Sequence, residues 1–150
     1  MYYFAYGSSM EHHRLLVEIC PGARFLGPVL LDDYCLIFDG YSAPWGGPVA
    51  NIDVSPGDVV CGGLFEITAE NLAALDTGEG YPRYYSRREV EVRDLAGSKR
   101  FTAQTYVRDP QPTGLPAKKY MMAVIKGARD CGLPEEYIHT AFDHYMRKYT

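Results

Sequence analysis

Glu79 is the acidic side chain whose sequence setting best suits proton transfer. It lies between two glycines in the stretch DTGEGYPRYY, residues 76–85, and three tyrosines follow it closely. A glutamate in a glycine-rich turn is most often simply exposed to solvent, and composition alone favours that interpretation. However, glycines allow close backbone approach, and aromatic surface can desolvate a carboxyl and raise its pKa to a value useful for a proton shuttle. Residue types therefore make Glu79 eligible as a general acid/base.

The first residues form a strand-like run that ends in a turn suited to an oxygen-bearing ligand. The segment YFAYGSS, residues 3–9, precedes a predicted helix, and a helix N-terminus offers free N–H groups. The lysine of a phosphate-binding P-loop is missing, and nothing resembles the Gly-x-Ser-x-Gly elbow of serine hydrolases. The turn therefore suits a small anionic or carbonyl oxygen, and neither Ser8 nor Ser9 is expected to be a nucleophile.

The histidines and cysteines do not predict a metal site. His12 and His13 are adjacent, so on a helix their side chains would diverge by about 100°. His139 and His144 are five residues apart rather than the four that place two ligands on one helix face. The four cysteines show no Cys-x-x-Cys spacing, and we interpret them as single thiols packed in a core.

Length, charge and composition restrict the class of protein. The chain has 150 residues, 47% of them hydrophobic, which favours one domain over residues 1–150. A formal charge of -4 without a basic run argues against nucleic acid or an anionic membrane as partner. No apolar stretch could span a bilayer and the first residues are strand-like, so we expect a cytoplasmic location. The 13 tyrosines favour a polar-lined cavity for a small molecule, because buried hydroxyls need partners.

The beginning of the chain predicts a strand followed by a helix. The aromatic residues 2–6 are typical of a short buried strand. Ser8 and Glu11 have the spacing of a capping box, which predicts that a helix begins at this point. Pro21 is expected to stop that helix.

The next segment predicts strands and turns. Residues 23–60 alternate in the manner of β-structure, with predicted turns at residues 39–40 and 55–58. Residues 59–67 predict a further strand. The glycine pair at residues 62–63 indicates either a bulge or a close backbone approach within it.

The second half predicts helices on both sides of a hairpin. Thr68 is a plausible N-cap for a short helix over residues 69–76, which the Gly-Glu-Gly of residues 78–80 would end. The remaining predicted elements are hairpin strands at 84–93 and 101–107 and two helices that begin near Ala117 and at Pro134. This order argues for a mixed α/β (α+β) domain, and we expect a small β-barrel flanked by helices.

Four segments together resemble the γ-glutamylcyclotransferase family in identity, order and spacing. They are YFAYGSS at 3–9, LDTGEGYPRYY at 75–85, QTYV at 104–107 and AKKYMMAVIKGARDCGLPEEYI at 117–138. The resemblance implies a small barrel-like α/β fold and an intramolecular acyl transfer that needs no cofactor. In the family, the α-amine of a γ-glutamyl compound attacks its own γ-carbonyl, which gives 5-oxoproline and releases the attached amine.

The resemblance also implies roles for individual residues. Glu79 matches the family's acid/base, which takes a proton from the attacking amine and returns one to the leaving nitrogen. The turn around Gly7 would offer backbone N–H groups to substrate oxygens, and Tyr120 matches a substrate-contacting tyrosine, although on spacing alone it would be a core aromatic. The full set of expected substrate-binding residues is Tyr3, Phe4, Ala5, Tyr6, Gly7, Ser8, Ser9, Tyr85, Tyr106 and Tyr120.

The sequence departs from the family pattern at two places. Ser9 stands where members commonly have Asn, and the step from Glu79 to Tyr85 is one residue shorter than in the animal enzymes. Both departures bear on the identity of the substrate more than on the type of reaction. The Trp that usually follows the Tyr-Gly-Ser turn in the glutathione-specific branch is absent, which disfavours that branch.

Several functions remain open on the sequence. The leading hypothesis is an enzyme that cyclises a γ-glutamyl amino acid or γ-glutamyl amine. The alternatives are a tailoring enzyme that removes a γ-glutamyl group from a biosynthetic intermediate and a non-catalytic binding domain of the same fold. Some family members pair as homodimers, but no motif in this chain defines an interface.

Overall fold

The β-structure of the chain closes into a five-stranded barrel, which confirms the predicted fold class. The structure is a computed structural model and describes residues 1–149. Its strands are β1 (Tyr2–Ala5), β2 (Arg24–Ser42), β3 (Gly47–Glu66), β4 (Ser86–Asp94) and β5 (Arg100–Val107). Their order around the barrel is β1-β3-β2-β4-β5, and β5 returns to β1.

The short strand β1 closes the barrel. It pairs antiparallel with β3 along its whole length and parallel with β5 at Tyr3 and Gln104. The hydroxyl of Thr105 on β5 donates a hydrogen bond to the carbonyl of Phe4 at 2.8 Å. Because β1 has partners on both sides, the turn that follows it leaves the barrel at a fixed place.

The long strands β2 and β3 pass through both predicted turns, so these two predictions are wrong. Asp39 and Gly40 lie inside β2, and the chain reverses instead at residues 43–46. Residues 55–58 lie inside β3, where the pairing shifts opposite Asp33, a residue with a φ of 65°. Turn-forming residue types therefore act here as irregularities within long strands rather than as reversals.

The first helical segment differs from the predicted helix. It consists of a 3-10 helix (Ser8–Met10) and a π-helix (His13–Ile19), and neither has a side-chain N-cap. The prediction of a capping box between Ser8 and Glu11 is therefore wrong. Gly7 is the cap residue, and the tight 3-10 turn places Glu11 just beyond its end, where the Glu11 N–H donates to the Ser8 carbonyl at 3.2 Å.

Helix α1 (Ala69–Glu79) begins as predicted and ends later than predicted. Thr68 caps it, and the side chain of Asn71 completes a capping box in both directions. The glycine before Glu79 remains helical, and only Gly80 adopts the left-handed conformation that ends the helix. Glu79 is thus the last residue of α1 rather than part of a loop.

The C-terminal helices cover one side of the barrel. They are α2 (Lys118–Asp130), α3 (Glu135–Ile138), a π-helix (His139–Asp143), α4 (His144–Met146) and a 3-10 helix (Arg147–Tyr149). Gly127 lets α2 pack against the N-terminal turn, since a Cβ there would lie 2.5 Å from the backbone nitrogen of Glu11. None of the helices within residues 1–149 combines the length and apolar character needed to cross a membrane.

Gly62 marks a close backbone approach, which is one of the two predicted outcomes for the glycine pair. A Cβ at this position would lie 2.3 Å from the carbonyl oxygen of Ala5 and 2.6 Å from the ring of Phe4. A side chain at position 62 would therefore push β1 away from β3.

We predict that Gly62→Ala lowers the free energy of unfolding by about 2 kcal/mol or more, because β1 and β3 must separate. Gly78→Ala is the matched control, since nothing lies within 4 Å of its Cβ position. Alanine in a helix should leave stability unchanged or raise it by up to about 1 kcal/mol. Urea unfolding of both variants measures the effect, and equal midpoints would contradict the prediction.

Candidate active site

A cavity of about 510 Å³ lies where the ends of β1 and α1 meet the turn between β2 and β3. The structure brings most of the predicted site residues to its wall: Tyr3, Tyr6, Gly7, Ser8, Ser9, Glu79, Tyr85, Tyr106 and Tyr120. Phe4 and Ala5, also predicted to bind substrate, do not line it. Both are fully buried in β1, where they pack within the barrel instead of facing the cavity.

The carboxyl group of Glu79 is held in a poorly solvated environment. The side chain is partly exposed, and the surface it exposes faces the cavity. Burial raises its pKa to about 7, although the positive charges of Arg108 and Arg14 act in the opposite direction. Both protonation states are therefore populated near neutral pH, which is the property a general acid/base needs.

Tyr120 reaches from α2 to the backbone of β3 and keeps its own proton. Its hydroxyl oxygen accepts a hydrogen bond from the N–H of Ala50 at 2.8 Å. Burial raises the pKa of Tyr120, so the hydroxyl stays protonated. Among residues 1–149 no acceptor takes that proton, and Gly7 passes so close that a Cβ there would lie 3.2 Å from the hydroxyl oxygen. The Tyr120 O–H is thus able to donate to a ligand.

The other cavity tyrosines hydrogen-bond within the protein. The Tyr6 hydroxyl donates to the Tyr106 carbonyl, the Tyr106 hydroxyl to Asp76 at 2.6 Å, and the Tyr85 hydroxyl to the Ala50 carbonyl at 2.7 Å. Tyr3 and Ser9 share a hydrogen bond at 2.8 Å, so one of their two protons stays free. These groups build the cavity wall. The bond to Tyr3 also gives Ser9 a defined structural partner.

A buried ion pair behind the cavity was not found by the sequence analysis. Arg108 and Asp39 are both almost fully buried, with Nη2 and Oδ1 2.9 Å apart. Asn51 links them, since its amide nitrogen donates to Asp39 at 3.2 Å and its oxygen accepts from the Arg108 N–H at 3.1 Å. Arg108 also donates to the Tyr85 hydroxyl at 3.3 Å. The network therefore supports the wall from behind and places a positive charge near Glu79.

Two further cavity residues also escaped the sequence analysis. The guanidinium of Arg14 lies 4.8 Å from the ring centroid of Trp45, and both side chains line the cavity. Neither residue belongs to a recognisable motif, so no local signal marked them. Among residues 1–149 no group of three or more His, Cys, Asp or Glu side chains is arranged to hold a metal ion.

The closed barrel flanked by helices is shared with known proteins. Residues 59–140 match the AIG2-like family. The chain is 33% identical over 140 residues to gamma-glutamylcyclotransferase of Mus musculus and 34% identical over 140 residues to that of Homo sapiens, covering 90% of this chain and 73% of each relative. A solved structure of gamma-glutamyl cyclotransferase superposes with a TM-score of 0.87 at 32% identity, over 95% of this chain and 88% of the other.

The fold is that of AIG2-like proteins. The chain belongs to the γ-glutamylcyclotransferase family, and it is an enzyme of that kind.

The raised pKa of Glu79 predicts a pH-dependent effect on stability. The folded state favours the neutral carboxyl, so the contribution of Glu79 to stability falls as the pH rises from about 4.5 through about 7. Glu79→Gln removes the ionisable group. We expect the variant to be more stable than the wild type by about 1–3 kcal/mol at pH 8 and equally stable at pH 4.

Denaturant unfolding at both pH values measures this difference. Glu89→Gln on β4 is the control, because its carboxyl is exposed and a surface substitution should change stability by no more than about 0.5 kcal/mol. A stability difference for Glu79→Gln that does not grow between pH 4 and pH 8 would show that the carboxyl is well solvated.

Proposed function

We propose that this enzyme cyclises the γ-glutamyl group of a small γ-glutamyl amino acid or amine to 5-oxoproline and releases the free amine. One observation carries the proposal: a carboxyl with a pKa near neutrality and the Gly7–Ser8 backbone line the same cavity. Its relatives support it, since they are gamma-glutamylcyclotransferases.

The proposed reaction needs only proton transfers and one stabilised oxyanion. Glu79, as carboxylate, takes a proton from the α-amine while that nitrogen attacks the γ-carbonyl carbon. The Tyr120 O–H and the backbone N–H of Gly7 hydrogen-bond the oxygen that becomes negative. Glu79 then gives its proton to the leaving nitrogen as the original C–N bond breaks. The products are 5-oxoproline and a free amine, and no water is consumed.

The cavity contributes mainly by folding the substrate. The attacking and attacked groups belong to one molecule, so holding them in contact removes most of the entropic barrier. The tyrosines whose hydroxyls are bonded within the protein provide fixed walls for this purpose. The wall geometry therefore selects a bent glutamyl group, and Glu79 with Tyr120 performs the chemistry.

We predict that Glu79→Gln lowers kcat by about 10²–10⁴-fold, because the proton shuttle is lost. The assay is 5-oxoproline formation from a panel of γ-glutamyl amino acids, amines and acylated intermediates. The panel also distinguishes cyclisation of simple γ-glutamyl compounds from the tailoring activity.

In the wild type, kcat/KM should increase with pH around a pKa of about 7, since the carboxylate is the active form. If no compound of the panel yields 5-oxoproline while Glu79→Gln binds these compounds as tightly as the wild type does, the chain is a binding domain.

Tyr120→Phe and Tyr85→Phe form a matched pair of variants. Tyr120→Phe removes a free donor and should lower kcat by about 10²-fold, and because it also removes the acceptor of the Ala50 N–H it should reduce stability as well. Tyr85→Phe removes a hydroxyl whose proton is already bonded to Ala50, so it should mainly reduce stability, by about 1–3 kcal/mol. Steady-state kinetics and urea unfolding separate the two effects, and equal losses of kcat would rule out the oxyanion role of Tyr120.

A further inference from the structure

Arg14 is a cation at the cavity wall whose charge acts on Glu79 without forming an ion pair with it. Its side chain is partly buried, and none of the ion pairs among residues 1–149 includes it. Its guanidinium lies over the face of Trp45. The other cation beside the cavity, Arg108, is paired with Asp39 at 2.9 Å. A planar guanidinium that lines a cavity and makes no ion pair within the described residues is suited to bind a carboxylate from a ligand.

Trp45 fixes the position of Arg14 relative to the proposed reaction centre. Its ring packs edge to face against Tyr120, with 5.1 Å between the ring centroids. The guanidinium lies on the same tryptophan ring, 4.8 Å from its centroid. A carboxylate bound by Arg14 would therefore lie one aromatic ring away from Tyr120. The backbone around Gly7 and the Tyr120 hydroxyl remain available for the glutamyl half of the substrate.

The turn that carries Trp45 borders the opening of the cavity. Tyr41 precedes this turn and lines the cavity, yet 65% of its surface is exposed. Pro44 in the turn also lines the cavity. Exposed aromatic surface beside a cavity indicates a contact surface for an apolar ligand group rather than a requirement of folding.

The cavity has room for both halves of such a substrate. Its volume of about 510 Å³ corresponds to roughly 17 water molecules at about 30 Å³ each. A glutamyl group alone would leave much of this space empty. An attached amino acid with a large side chain would occupy more of it.

We propose that Arg14 binds the carboxylate of the α-amino acid released by the reaction, while Tyr41 and the turn of residues 43–46 contact its apolar side chain. The preferred substrates are then γ-glutamyl conjugates of large apolar α-amino acids. This inference rests on the proposed function. It adds a specificity-determining residue and narrows the substrate class.

Three substrates distinguish the contact of Arg14 with the carboxylate of the released amino acid from the contact of Tyr41 with its side chain. γ-Glutamyl-phenylalanine has both this carboxylate and the ring. γ-Glutamyl-phenethylamide lacks this carboxylate, and γ-glutamyl-glycine lacks the ring. We expect wild-type kcat/KM to be highest for the phenylalanine conjugate. Assays at pH 8.5 keep Glu79 ionised in every variant, so that loss of the Arg14 charge does not act through the protonation of Glu79.

Arg14→Met keeps the aliphatic stem and removes the charge. It should lower kcat/KM by about 10–100-fold for the two conjugates whose released amino acid has a carboxylate, and leave the phenethylamide within about twofold. Arg14→Lys should restore part of the loss, because it keeps the charge without the planar fork. Tyr41→Ala should reduce the preference for phenylalanine over glycine several-fold.

Two kinetic outcomes overturn the inference. If Arg14→Met lowers kcat/KM equally for all three substrates, Arg14 binds the glutamyl half that they share. If it changes none of them, Arg14 does not contact the substrate.

Failure of the proposed function is distinguishable, because then the wild type forms no 5-oxoproline from any of the three. Calorimetric titration then decides the role of Arg14. Tighter binding of γ-glutamyl-phenylalanine to the wild type than to Arg14→Met, with equal binding of the phenethylamide, supports the contact. Equal binding of both compounds to both proteins overturns it.

Discussion

β1 has only four residues, yet its backbone is paired with β3 on one side and with β5 on the other, and this double pairing closes the barrel. A slip of one residue in such a strand would turn every side chain to the opposite face. Gly62 permits the close contact between β1 and β3 that holds the register. The turn at Gly7 is therefore positioned by the barrel itself, and the distances between that turn, Ala50 and Tyr120 follow from it.

The polar groups around the cavity fall into two sets with different physical roles. Most of them satisfy one another, such as Arg108 with Asp39 and the tyrosine hydroxyls with backbone carbonyls or Asp76. Buried polar groups that are fully paired make a wall rigid. Within residues 1–149 the Tyr120 proton has no acceptor and the Arg14 guanidinium forms no ion pair, so these are the groups that a ligand can use.

The sequence predicted the barrel and the start of α1, because strand alternation and the Thr68 cap are local patterns. It placed turns at residues 39–40 and 55–58 wrongly, since local turn chemistry does not distinguish a chain reversal from an irregularity inside a strand. The pair of Arg108 and Asp39, 69 residues apart in the chain, left no local signal. The roles given to Glu79 and Tyr120 came from a family resemblance, because residue types alone left both with ordinary interpretations.

The position of Glu79 at the end of α1 has an electrostatic consequence. The last carbonyl groups of a helix carry a partial negative charge, so a carboxylate at this end is disfavoured in addition to its burial. An ammonium group bound in the cavity would offset both effects and would draw the proton off the carboxyl. Binding of a cationic amine and loss of that proton are therefore linked. Affinity for such a ligand should increase with pH over the same interval in which ionisation of Glu79 costs the unliganded fold stability.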